Sequence, residues 1–274
     1  MRKSNRWIAY IILLMLLIVF MIPFYLLVIN TFKTTQQFVL NPFSFPETLN
    51  FDNYREAIRK MNFKISFKNT AIISLSTTLL NTFFSSMISY VFSRKKWRIN
   101  KILFMLLIVS MVAPFQVYMI PLVKIYGGML GLSNNLALVI YVGIGLTIPF
   151  SVFLYQGFLN SIPRELDEAA LIDGCSMEKT FFRIILPLLK PIIVTVMVFV
   201  GLGSWNEYLM TSLFLTKVET RTLSIAAFTF LTNRSAEYSP MMAGLVLGIV
   251  PILTFYLFGQ KYIIDGVVQG SVKG

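Results

Sequence analysis

Residues 168–187 read EAALIDGCSMEKTFFRIILP, a charged stretch with helical periodicity set between long apolar runs. The segment around it, residues 157–190, holds five of the chain's twelve acidic residues: Glu165, Asp167, Glu168, Asp173 and Glu178. Pro163 suits a first helical position, and Glu165 and Asp167 fall in the first turns, where carboxylates favour the positive end of the helix dipole. Leu166, Ala169, Ala170 and Asp173 recur at i, i+3, i+4 and i+7, which predicts a helix with a small-residue face flanked by acids. Gly174 permits a backbone reversal that other residues resist. A second helix is expected from Ser176, turning Phe181, Phe182, Ile184 and Ile185 back toward an apolar phase and ending before Pro187. Two short helices joined at a glycine form a rigid knob that a partner's groove can receive. The alternative is a hairpin resting on lipid headgroups, and the acidic face opposes it because the inner leaflet is itself negative.

The rest of the chain is apolar. Of its 274 residues 56% are hydrophobic and 13% charged, far from the 25% or so charged residues of soluble proteins, so the chain belongs in a bilayer. A single cysteine, Cys175, and the absence of His leave no disulfide framework and no ordinary zinc or His-based catalytic cluster. About 20 apolar residues cross the hydrocarbon core, and six stretches between charges meet this length, near residues 7–32, 69–93, 102–122, 134–156, 191–216 and 240–260. The expected fold is an all-α polytopic membrane protein of one domain, 1–274. Arg2, Lys3 and Arg6 precede a first run too long for a cleaved signal, which reads as a retained anchor. Tyr126-Gly-Gly and Gly131-Leu-Ser-Asn-Asn135 are expected to break the uncharged interval before the fourth span into an external turn.

With both termini inside, the inner segments carry fourteen of the 24 Lys and Arg, among them the cluster RKKWR at 94–98, in line with retention of basic residues at the cytoplasmic face. That placement also accounts for the net charge of +12 without a nucleic-acid partner. The outer loop is the departure. FSFPETLNFDNYREAIRK predicts a Pro-rich turn and a short amphipathic helix, and its Arg55, Arg59 and Lys60, with Lys64 and Lys68 beyond, suit either a solvated helix or an acidic sugar or binding protein. Pro23, Pro114, Pro121, Pro149 and Pro251 lie in or near spans, where they kink helices.

Glu207 sits near the middle of the fifth span, where an ionised group needs a partner or a wet cavity. With Trp205, Asn206 and Tyr208 beside it, the cluster suits either sugar recognition or an interhelical clamp or gate. Asn81 and Gln116 are weaker pathway candidates, and the Ser and Thr residues of the second span are expected to serve helix packing. No GxxxxGK[ST] phosphate loop occurs, so a nucleotide is not bound by that route. An ion-coupled secondary transporter carrying charge on Glu207 is the competing class, though no inverted repeat is detectable.

Glu168-Ala169-Ala170, three residues, Gly174, nine residues, Ile184, one residue and Leu186-Pro187 resemble, without a gap, the EAA loop of bacterial ABC importer permeases. FSFPETLNFDNY, SWNEYLMTSLFL at 204–215 and the ending QKYIIDGVVQGSVKG are similar to carbohydrate-uptake permeases, specifically to the shorter membrane subunit of maltose-type systems. The resemblance implies a multi-pass permease of the bacterial cytoplasmic membrane, paired with a second homologous permease subunit and two cytoplasmic ATPase subunits and served by an extracytoplasmic sugar-binding protein. It implies no enzymatic activity and no cofactor in this chain, ATP and Mg being held by the ATPase. Glu165, Asp167, Glu168, Ala169, Ala170, Asp173, Gly174 and Met177 become the ATPase-coupling residues. Gln269, Gly270, Ser271 and Lys273 form a tail reaching the same interface.

Overall fold

The computed structural model describes residues 3–232 and 235–271. The chain runs through α1 (Lys3–Asn30), α2 (Thr35–Leu40), α3 (Asp52–Lys60), α4 (Phe63–Arg94), α5 (Arg98–Val112), α6 (Phe115–Leu122) and α7 (Leu136–Leu159). It continues through α8 (Glu165–Ile172), α9 (Met177–Thr180), α10 (Leu186–Leu188), α11 (Lys190–Asn206), α12 (Leu209–Phe214), α13 (Leu223–Ala227) and α14 (Tyr238–Ser271). A two-residue antiparallel pairing, Leu231–Thr232 with Ser235–Ala236, is the one extended element among the described residues. Trp7–Asn30, α4, α7 and Tyr238–Phe258 are each long and apolar enough to cross a bilayer, and two bent helix pairs raise the number to six if each counts as one span.

The backbone groups into two compact units, one running to Lys64 and including Ile225–Val250, the other comprising Ile65–Ser224 and the stretch from Pro251. In the first, the end of α1 is tied down by polar contacts. Asn53 Nδ2 donates to the carbonyls of Thr31 and Lys33, both at 2.8 Å, and the buried Lys33 ammonium donates to Asn41 O and Pro42 O. The expected amphipathic helix is α3. Its basic residues are matched by acids of the same unit: Arg55 pairs with Asp52, Arg59 with Glu56, and Lys60 with both Glu56 and Glu237. Hydrogen bonds from Arg59 and then Lys60 hold the Glu56 carboxyl below the usual carboxylate range. The pairing therefore persists above the ordinary carboxylate pKa and is lost as pH falls through the lowered one.

The second unit is organised on α4. Its buried face is a stripe of small polar residues, including Ser74, Thr77, Thr78, Asn81, Ser85 and Ser89, which lets neighbouring backbones approach closely. A methyl at Gly143 of α7 would touch Thr77 at 3.4 Å, and one at Gly201 of α11 would meet Phe255 at 3.2 Å and Thr78 at 3.4 Å. Ser74 Oγ donates to Gly201 O and Ser89 Oγ to Val152 O. Below this stripe lies an apolar core drawn from α4 (Tyr90), α7 (Tyr155, Phe158, Leu159), the segment after α9 (Phe181, Ile185) and α11 (Ile192, Val196).

Several expectations are corrected. The span expected at 102–122 is broken at Pro114, with a bend of 96° between Arg98–Val112 and Phe115–Met129. Ala113 is pushed into an extended conformation by the proline that follows. Tyr126-Gly-Gly does not turn the chain but lies in a π-helical continuation, Val123–Met129. The turn is made by Gly131 (φ +64°) and Asn134 (φ +61°), and the side-chain oxygen of Asn134 accepts the N–H groups of Thr216 and Lys217. The fifth span stops at Asn206 and does not run to 216. The helix expected to end before Pro187 carries that proline inside it through Leu188, and a 78° bend follows before Lys190.

Candidate functional site: the knob at 165–188 and the break at Glu207

The knob forms as two helical arms around Gly174. At the end of α8, Gly174 N–H donates to Leu171 O and Cys175 N–H to Ala170 O, with Gly174 at φ +78°. This is a Schellman turn, whose left-handed position favours glycine. Ser176 restarts the chain: its hydroxyl accepts the Lys179 N–H. The Glu178 carboxyl is held below its usual range by its own backbone N–H and then by Ser176.

The two arms attach differently. Phe181 and Ile185 of the second arm enter the apolar core, and Phe182 stacks on Phe83 at 6.4 Å. In α8 only Ala170 is buried, so that arm is held chiefly by polar contacts. Tyr90 OH donates to Asp167 Oδ1 at 2.6 Å and Arg94 Nε to Asp167 Oδ2 at 2.9 Å. Arg94 also donates to Ile162 O, and Arg164 donates to Ser93 O at 2.6 Å. A cavity of about 280 Å³ between α4 and the arms is lined by Tyr90, Arg94, Arg164, Asp167, Glu168 and Met177, among others.

Of the expected coupling residues, Glu165, Glu168, Ala169, Asp173 and Gly174 are exposed on the knob, whereas Asp167 points inward to α4 and Ala170 is buried. Two residues missed in the sequence stand beside the turn: Leu171 and Ile172, 70% and 87% exposed, with no apolar cover. The face turned inward keeps Ala170 of the expected set but adds Asp167 and leaves Ala169 and Asp173 exposed, a shift that the helical periodicity does not announce. Gln269, Gly270 and Ser271 fall on the last turns of α14, and Lys273 lies outside the described residues.

The candidate pathway residues separate. Glu207 has an extended backbone between α11 and α12, and its two carboxylate oxygens accept the N–H groups of Met210 at 2.9 Å and Thr211 at 2.8 Å. The side chain thereby satisfies donors that open at the start of a helix. A cavity of about 320 Å³ reaches this residue, lined also by Thr77, Phe115, Leu146, Thr147 and Ser204. Thr77 Oγ1 has no hydrogen-bond partner among the described residues. Trp205 instead packs edge-on against Phe67, 5.8 Å between centroids, and Asn206 bonds back to Leu202 O. Gln116 is exposed on α6.

Asn81 is fully buried, donating to Thr147 Oγ1 and accepting from Ser151 Oγ, so it joins α4 to α7. Asn81→Leu should lower the thermal midpoint in detergent, at about 1 kcal/mol per bond lost. It should leave substrate affinity unchanged; a selective affinity loss at equal stability would contradict the packing role.

Apolar helices in bent and unbroken spans, an acid-rich helical knob fixed to their core and a cavity at a helix break define a multi-pass membrane transport subunit. Residues 82–269 match the family described as "Binding-protein-dependent transport system inner membrane component", and the chain belongs to that family. Several of its curated relatives are named as sugar or oligosaccharide transport permeases. The chain is 39% identical to the "Probable starch degradation products transport system permease protein AmyC" of Thermoanaerobacterium thermosulfurigenes, over 92% of this chain and 91% of the relative. It is 35% identical to the "Melibiose/raffinose/stachyose import permease protein MelC" of Bacillus subtilis, over 92% and 91%. A solved structure of a bacterial ABC transporter involved in import of the acidic polysaccharide alginate has a chain of the same fold, with a TM-score of 0.80 over 96% of this chain and 98% of that one at 18% identity.

Proposed function

We propose that this chain is a permease subunit of an ATP-driven importer that carries a neutral carbohydrate, an oligosaccharide by the names of its relatives, across the bacterial cytoplasmic membrane. The sugar is delivered by an extracytoplasmic binding protein, and the chain works beside a second homologous permease. In this reading the chain makes six crossings, counting each bent pair as one, with both termini and the knob on the cytoplasmic side. ATP and Mg are bound by two separate ATPase subunits, and this chain performs no hydrolysis. Closure of the ATPases on ATP draws the knobs together and switches the permease pair between inward- and outward-facing states, so the energy enters as a difference in binding between two conformations.

The observation that carries this reading is the knob itself. Its turn is fixed by glycine geometry, one arm is rooted in the core, and the other presents Glu168, Leu171 and Ile172 uncovered. An uncovered apolar pair beside a carboxylate suits a protein groove better than an anionic leaflet. A neutral cargo is favoured because the lining residues of the Glu207 cavity include one carboxylate and no Lys or Arg. The basic loop that would suit an acidic sugar is neutralised at Arg55, Arg59 and Lys60 by its own acids. Secondary transport on Glu207 is disfavoured by its bonding: both carboxylate oxygens are already engaged by backbone N–H groups at the start of α12.

A photo-crosslinker at Ile172 should trap the ATPase subunit, identified by mass, in the assembled transporter, and one at Phe199 should not. Equal labelling from both positions would contradict the docking assignment.

A further inference from the structure

The two arms of the knob differ in how force can leave them. The second arm shares an apolar core with α4, α7 and α11, whereas α8 buries only Ala170 and meets α4 through the polar groups of Asp167 and Arg164. The Asp167–Arg94 pair is enclosed, its side chains 18% and 8% exposed, where a charge pair is strong and directional. Tyr90, one turn back along α4, takes the other carboxylate oxygen. The contacts are reciprocal: an α4 arginine donates to the loop carbonyl of Ile162, and a loop arginine donates to the α4 carbonyl of Ser93.

The element so gripped is also distinctive. Among the helices longer than fifteen residues, α4 is the one that contains neither Pro nor Gly, the usual sites of kinking. It runs unbroken from Arg94 to Ile73 and Thr77, which line the Glu207 cavity. Seventeen residues separate Arg94 from Thr77, a rigid length of about 25 Å at 1.5 Å per residue.

We propose that Tyr90, Arg94 and Asp167 form a latch that makes α4 move with α8, so that displacement of the knob is transmitted along α4 to the wall of the Glu207 cavity. This rests on the ATP-driven reading above. Asp167 is then a positioning residue acting inside the chain and not a contact to the ATPase. Its carboxylate engages both partners at once, so it resists sliding of α8 along α4 as well as separation.

The test uses the assembled transporter in proteoliposomes and reads sugar taken up per ATP hydrolysed, with ATPase stoichiometry measured on the same sample. Arg94→Met combined with Asp167→Leu removes the pair without leaving an orphan charge. It should retain the ATPase subunits and hydrolyse ATP while the transport ratio falls at least tenfold. The exchanged pair, Arg94→Asp with Asp167→Arg, should recover the ratio to within about threefold of wild type. A wild-type ratio in the apolar double variant overturns the latch, as does an exchanged pair no better than it. Loss of the ATPase from the apolar variant also overturns it, because the defect is then in docking. Wild-type transporter that imports sugar with no ATPase bound overturns the ATP-driven reading itself, and the latch with it.

Discussion

Gly174→Val is expected to lower ATP-dependent uptake at least tenfold, whereas Gly174→Asn stays within about threefold of wild type. A Cβ at this position meets nothing within 4 Å, so the effect is not a clash. It comes from the backbone: φ is +78°, a region where a β-branched residue is an outlier and asparagine is tolerated. Holding valine there costs about 1–3 kcal/mol, enough to depopulate the Schellman turn and swing Leu171 and Ile172 away from the orientation α8 gives them. Glu168→Arg tests the same surface by charge and should match the valine variant, since Glu168 is exposed and supports no described internal contact that would unfold the chain. Uptake rates in proteoliposomes, with the amount of bound ATPase, check both. Equal activity of the valine and asparagine variants would remove the turn from the account.

Glu207→Ala is expected to cut uptake about tenfold or more while the ATPase remains bound. The carboxylate accepts two N–H groups at the start of α12, and leaving a buried donor unsatisfied costs about 1–3 kcal/mol. Without it the break between α11 and α12 has no acceptor to hold it, and the cavity loses the wall that Glu207, Leu209 and Met210 provide. Glu207→Gln keeps one acceptor oxygen and should fall between the two. Release of the ATPase from the alanine variant would contradict the separation between pathway and knob.

What could be read in the sequence is what is encoded locally. The Gly174 reversal, the Ser176 start and the amphipathic α3 follow from residue types a few positions apart, and the structure has all three. The break at Glu207 has no Pro or Gly at the break itself, and the upstream Gly201 and Gly203 lie within α11. A carboxylate in an apolar run signals a partner or a cavity, but its use as the cap of a new half-helix depends on where the chain goes next. Of the two segments expected to break the chain before the fourth span, Gly131-Leu-Ser-Asn-Asn135 makes the turn, through Gly131 and Asn134, while Tyr126-Gly-Gly stays helical because glycines permit a turn without requiring one. Pro187 sits inside a helix because it falls near a helical start, at the entry to Leu186–Leu188, where its missing N–H costs little. The latch was out of reach for a different reason: Arg94 and Asp167 are 73 positions apart, and each reads alone as an inner-surface charge.

ATP-driven import is measured as uptake into proteoliposomes holding the assembled transporter, with binding protein and neutral oligosaccharide outside and ATP inside. Uptake is expected to require hydrolysable ATP and to persist undiminished when an uncoupler abolishes the ion gradients. Uptake that collapses with the uncoupler while ATP is held constant would contradict ATP-driven import.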